Sequence, residues 1–189
     1  MDMVNQFDSN EEREFEAWCK DAFNLGMLSD VVYHPPSFQL SPRQSIQKTV
    51  QMKSKTKLVD AFLFHPHEYT ADFQLSLTEY GKGFLGERGL FLTPCLNKMF
   101  VDVKGGFNIY NDDKSFSINQ KWVFEKHGVF IYKIVPKKWF AKTWVPEMAR
   151  RSPKKGIVRE CYKNCQTIET INNKSKDDLF PVTGRNTPV

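Results

Sequence analysis

The sequence predicts an α/β fold. Three observations carry that expectation. A stretch with helical spacing of apolar residues lies near the start, between Ser9 and Leu28. Short runs of alternating apolar residues follow at 58–64, 69–77 and 99–104, the period of half-buried strands. With 40% hydrophobic and 14% aromatic residues among 189, the chain has material for a real core. Residues 1–170 are expected to form a single domain with a basic extension from about residue 136. Residues 171–189 are expected to be a polar, poorly ordered tail.

In the first helix Phe15, Trp18, Cys19, Ala22 and Phe23 recur on one face. Ser9 is the predicted N-cap, with Glu12 at the capping-box spacing, and Gly26 marks the helix end. Pro35 and Pro36 break 31–40 into two short strands. Ser41–Lys57 reads equally as a loop or an exposed hairpin. His65-Pro66-His67-Glu68 turns the chain into a strand running Tyr69 to Leu77.

Thr78–Lys98, with Gly81, Gly83, Gly86 and Gly89, reads as a mobile connection. Its G-K-G-F-L-G-E-R-G lacks the features of a phosphate-binding loop. Asn111-Asp112-Asp113 reads as a turn. Trp122–Phe124 and Gly128–Val135 read as paired strands. Trp139–Ala149 reads as a short helix broken or restarted by Pro146.

Charge is distributed unevenly. The first thirty residues hold eight acids against Arg13 and Lys20. Between Lys133 and Arg159, nine basic residues face one acid, Glu147. A second basic stretch comprises Arg43, Lys48, Lys53, Lys55 and Lys57. Two such stretches with interleaved aromatics point to a polyanionic partner. The apolar runs are too short to span a membrane, and the acidic start is unlike a secretory signal, so a cytoplasmic location is expected. Cys161 and Cys165 have no His pair nearby, so no zinc site is assigned. Trp139, Phe140 and Trp144 read as core in preference to base-stacking residues. The pair His65 and His67 reads as surface, not as ligands.

The chemistry concentrates on two strands. One carries Asp72 in T-A-D-F, the other Asp102 and Lys104 in V-D-V-K-G-G. Asp102 and Lys104 share a face of their strand, and Gly105-Gly106 allow close approach by a bulky ligand. A strand carboxylate between apolar neighbours costs stability unless it is paired or binds a cation.

These motifs resemble the PD-(D/E)xK nuclease superfamily. Asp72 matches the first acid, Asp102 the second, and Lys104 the lysine. Ala71 stands where a Pro is common, and the two acids are thirty residues apart. The early Ser9, Glu12 and Phe15 are similar to a helical motif of phage Holliday-junction resolvases of the endonuclease I type and of transposon end-cleaving endonucleases. Glu12 is then a metal-site carboxylate or simply the capping-box residue, with Glu11 as a rival ligand.

The resemblance implies a restriction-endonuclease-like mixed central sheet flanked by helices, and an enzyme, a metal-dependent endodeoxyribonuclease acting on branched DNA. It implies Mg²⁺ (or Mn²⁺ in its place) held by Glu12, Asp72, Asp102 and the backbone carbonyl of Val103, with Lys104 beside the attacked phosphate. DNA backbone contacts are expected from Lys121, Lys137, Lys138, Lys142, Arg150, Arg151, Lys154 and Lys155, and a homodimer is compatible with resolution. The alternatives are a site-specific transposon-end or restriction-like endonuclease, and a non-catalytic nucleic-acid-binding or assembly protein on the same fold.

Overall fold

The computed structural model describes residues 7–92, 97–105 and 111–172, with backbone only at 111–113. Cys95, Gly106 and the tail from residue 173 lie outside the described residues.

Helix α1 spans Asn10–Asn24. Ser9 is its N-cap, accepting from the Glu12 N–H at 3.1 Å, while Ser9 Oγ donates to Glu12 Oε1 at 2.8 Å. This reciprocal pair satisfies one orphan backbone donor and fixes the Glu12 carboxylate at the same time. Gly26 follows the helix with φ +71, a left-handed position that suits glycine. The apolar stripe of α1 is fully buried through Phe15, Trp18, Cys19 and Ala22, whereas Phe23 is exposed.

The central sheet has four strands: β1 (Leu28–Tyr33), β6 (Phe73–Leu77), β7 (Lys98–Val103) and β8 (Ile131–Ile134), in the order β1-β6-β7-β8. The first two pairings are antiparallel and β7–β8 is parallel, so the sheet is mixed. The parallel pair needs a crossover, and the long helix α3 (Asn111–His127) lies within it.

On one face, Phe73, Leu75, Val101 and Ile134 pack with α1 and with Trp139, Phe140 and Trp144. Trp139 and Phe140 come from α4 (Pro136–Lys142), and Trp144 follows it. Trp18 stacks on Trp144 with 5.0 Å between centroids, and its Nε1 donates to Thr143 Oγ1 at 3.1 Å. These aromatics are core, as their spacing suggests. On the other face Ile131 packs with Phe116 and Val123 of α3 and with Leu40, Tyr69 and Ala71. Two further ribbons complete the β structure: β2 (Phe38–Ser41) with β5 (His67–Tyr69), and β3 (Gln44–Gln51) with β4 (Thr56–Phe64). Short helices α5 (Glu147–Arg150) and α6 (Ile168–Asn172) follow. No described helix is long and apolar enough to cross a membrane.

Several sequence expectations need correction. Within Thr78–Lys98, Glu79–Glu87 forms helix α2 and is not a mobile connection. Thr78 caps it, and Gly81 is where α2 touches the β1 entry: a Cβ there would lie 2.1 Å from the Met27 carbonyl oxygen. That glycine serves close packing, not mobility. Asn111-Asp112-Asp113 opens α3 and is not a turn.

Trp122–Phe124 is helical, so only the second half of the proposed strand pair exists. The aromatic and β-branched run W-V-F mimics a strand. The i, i+7 pair Phe116 and Val123 is what buries α3, and Gln120 between them donates to the Ile131 carbonyl at 2.6 Å. The strand expected over Tyr69–Leu77 is broken in two, and Asp72 sits at the bend between β5 and β6. The basic Ser41–Lys57 segment resolves in favour of the hairpin.

Candidate active site

The broken strand brings the acids together. The β6–β7 register ends with Phe73 opposite Val101, and Asp72 stands just before it, at the bend. The Asp72 N–H donates to the Val101 carbonyl at 2.9 Å, and the Val103 N–H donates to Asp72 Oδ2 at 2.6 Å. The Asp72 carboxylate thus folds over β7 at Val103, within electrostatic reach of Asp102 and Lys104.

Asp102 is 4% exposed. Its Oδ2 accepts from the Tyr69 hydroxyl at 2.5 Å, and its Oδ1 lies 2.5 Å from Lys104 Nζ. That contact is an ion pair without hydrogen-bond geometry, so Oδ1 is buried with charge beside it and no hydrogen bond of its own. Its charge is met by the ammonium, so a cation arriving at Oδ1 would compete with Lys104 for it.

Glu12 is also buried, at 7% exposure. Its Oε2 accepts from the Tyr33 hydroxyl at 2.7 Å and from the Asp8 N–H at 3.2 Å. The Glu12 carboxylate is thus engaged by the helix cap and by Tyr33 together. Glu11, the rival, also reaches the end of β7: a Cβ at Gly105, the residue after Lys104, would lie 3.2 Å from Glu11 Oε1, so both glutamates remain candidates.

Burial pushes the Asp72 carboxyl up to about 6, with the negative charges of Asp102 and Glu12 adding to the rise; the Val103 N–H and the Lys104 ammonium oppose it. Asp72 is thus crowded by like charge, which a cation would relieve. Burial and the Asp102 charge likewise push the Tyr69 hydroxyl well above its ordinary range, so it stays a proton donor to Asp102. Burial and Glu12 do the same for Tyr33.

Asp72, Asp102 and Lys104 are thus brought together, with Glu12 within electrostatic reach but turned toward Ser9 and Tyr33. Among the described residues the one tight trio of ligand-type side chains is Asp8, Glu12 and His34, with donor atoms within 4.8 Å of one another. Two of the three are exposed, and Glu12 belongs to both groups. His34 adjoins the site through its backbone: its N–H donates to the Asp72 carbonyl at 2.9 Å, its φ is +47, and its ring stacks on Tyr33.

No sequence motif singles out Tyr33, Tyr69 or His34. Tyr33 and Tyr69 lie 21 residues from Glu12 and 33 from Asp102, and no local spacing relates them.

The basic residues expected to meet DNA divide into two kinds. Lys121 on α3, Lys137, Lys138 and Lys142 on α4, and Lys154 and Lys155 are exposed. Arg151 pairs with Glu147 at 2.5 Å and half-buried Arg150 with the same acid at 3.7 Å, so both arginines are engaged in tying α5. A groove of about 580 Å³ is lined by Glu11, Arg13, Lys137 and Arg159 among others, and not by Glu12, Asp72, Asp102 or Lys104. Within it Arg159 is held by Glu14 at 2.6 Å. His65 and His67 are exposed, and His67 stacks on Trp122. Cys161 and Cys165 are free thiols.

No family model, curated protein or solved structure matches the chain. The mixed α/β architecture and the geometry of this carboxylate–lysine group are what a functional reading rests on.

Proposed function

We propose that the protein is a metal-dependent DNA endonuclease with a restriction-endonuclease-like core. The observation that supports this reading best is the meeting of Asp72, Asp102 and Lys104 at one end of β6 and β7, with Asp102 Oδ1 buried and lacking a hydrogen bond. An all-oxygen carboxylate set suits Mg²⁺ or Mn²⁺. Asp72, Asp102 and the Val103 carbonyl would hold such an ion, and Glu12 would join them only by turning from Ser9 and Tyr33, since its carboxylate groups with Asp8 and His34. Bound there, the ion would acidify a coordinated water and neutralise charge building on a phosphodiester.

The chain's own groups do the rest. Lys104, beside Asp102, supplies a positive charge to the phosphate as it gains negative charge. Tyr69 and Tyr33 hold Asp102 and Glu12 in place and remain protonated. The exposed lysines of α4 and the following segment, with Lys121, hold the phosphate backbone through salt-dependent contacts.

Branched DNA of the Holliday-junction kind is the substrate class proposed, with a transposon end or restriction-like site as the alternative. A panel of four-way junction, flap, single-stranded and linear duplex DNA with Mg²⁺ tests the choice. Preferential paired cuts in the junction by a dimer support resolution. Binding without cutting in either Mg²⁺ or Mn²⁺ would leave the non-catalytic nucleic-acid-binding reading in its place.

A further inference from the structure

The β2–β5 and β3–β4 ribbons are consecutive parts of one long arm. Phe38 pairs with Tyr69 at its base, and Gln51 pairs with Thr56 near its tip. The break between the two parts falls where Pro42 on one strand and Pro66 on the other remove ladder donors. The base is rooted in the candidate active site, because β5 ends on Tyr69, which donates to Asp102.

Beyond the prolines the arm changes character. β3 and β4 pair with each other alone among the described strands. Apart from half-buried Gln44, Val59 and Ala61, every residue of the two strands is exposed. Eight paired positions at about 3.3 Å each make a ribbon about 26 Å long. A two-stranded ribbon without a covering layer is marginal in water. This one also exposes Ile46, Leu58 and Phe62, so it has the character of a surface that meets something.

Its charge identifies the occupant. From Arg43 to Phe64 there are five basic residues and one acid, Asp60, which is already bonded to Gln47. Lys53, Lys55 and Lys57 cluster at the tip, and Lys48 lies on the same face as Lys57. The opposite face carries Gln47, Thr49, Gln51 and Thr56 with Leu58, Asp60 and Phe62; Gln47 is bonded to Asp60 and Thr56 to Gln51, and the remaining donors and acceptors of these polar side chains can meet base edges. A bare two-stranded ribbon of these dimensions fits the major groove of B-form DNA.

We infer that the β3–β4 hairpin is a DNA-binding arm that enters the major groove beside the cleavage point, with its tip lysines on the phosphates. The inference rests on the endonuclease reading for the identity of the nucleic acid, but it is testable without cleavage.

The experiment measures affinity in EDTA, by fluorescence anisotropy on a short labelled duplex across a salt series. The variant Lys48→Ala/Lys53→Ala/Lys55→Ala/Lys57→Ala is compared with the unaltered chain. Each phosphate that is no longer neutralised lowers the salt slope by about 0.9, so binding near physiological salt should fall about 10²–10³-fold. The melting temperature should not move, because all four lysines are exposed. The same substitutions should matter much less on double-stranded RNA, whose deep, narrow major groove excludes a ribbon.

Unchanged affinity and slope on DNA overturns the inference. So does a dimer that Phe62→Ser and Leu58→Ser convert to a monomer with DNA binding intact, since a second copy would then be the occupant. The two readings separate cleanly. Loss of binding in a chain that never cuts defeats the nuclease and keeps the arm, while cutting that persists at full affinity in the lysine variant does the reverse.

Discussion

The sheet end around Asp72 and the β3–β4 hairpin are built from similar strand-forming sequence, yet they solve opposite problems. At the sheet end, aromatic layers cover both faces, so the carboxylates of Asp102 and Glu12 are buried and need Tyr69, Lys104, Ser9 and Tyr33 to hold them. In the hairpin no described layer covers the ribbon, so its lysines stay solvated and its apolar groups stay exposed. Burial makes a rigid, electrostatically strained site. Exposure leaves a ribbon without a packed layer among the described residues. The same alternation of residues becomes chemistry or contact depending on whether a second layer packs on it.

The largest expected difference is in catalysis. Asp102→Asn or Lys104→Ala should reduce Mg²⁺-dependent nicking at least about 10³-fold while DNA binding in EDTA holds, because each removes charge from the reacting centre. A plasmid-nicking time course checks it, and retained activity in Asp102→Asn would remove the basis for placing the reaction here.

Stability separates the regions next. Phe73→Ala, in the fully buried layer under α1, should cost about 3–5 kcal/mol. Phe62→Ala in the hairpin should cost no more than about 0.5 kcal/mol. Urea denaturation of the two variants gives both values, and equal losses would mean the hairpin is packed in solution.

Tyr33→Phe sharpens the picture of Glu12. Removing the hydroxyl leaves Glu12 Oε2 with one fewer donor, and metal affinity should weaken about 10–100-fold, as expected when a ligand loses its orienting partner. Titration calorimetry with Mn²⁺ reads this directly. An unchanged affinity would assign Glu12 to the helix cap alone.

The smallest effect concerns pH. The folded-state Asp72 carboxyl sits near 6, above its unfolded value. The native state therefore holds the extra proton between about pH 4 and pH 6, and stability is full below that window and declines as pH rises through it. Without metal, melting should fall by the equivalent of about 1–3 kcal/mol across the window, and Asp72→Asn should flatten the profile. Mg²⁺ should restore stability above pH 6, where it no longer competes with that proton. Thermal scans from pH 4 to pH 8 with and without the ion test both signs.

Much of the site was legible in the residues themselves. T-A-D-F, V-D-V-K-G and the S-x-x-E cap are local patterns, and local patterns carry their chemistry wherever the chain places them. The helical stripe of α1 and the Trp139–Trp144 core were legible for the same reason, since a 3.6-residue period is written along the chain. What could not be read was whichever choice depended on a distant neighbour. Gly81 looked like a loop residue until Met27 lay against it. Trp122-Val123-Phe124 looked like a strand until Phe116 joined Val123 over Ile131.

The sequence by itself determined which groups this protein has to work with: the acids, the one lysine two residues beyond Asp102, and the aromatic stripe that drives collapse. Only the tertiary structure decided that the Asp72 carboxylate reaches β7 near Asp102, that Tyr33 and Tyr69 hold the carboxylates, and that the strands of the 44–64 hairpin are exposed. Register and layer coverage are set by contacts between segments far apart along the chain, and such contacts leave no period in the sequence.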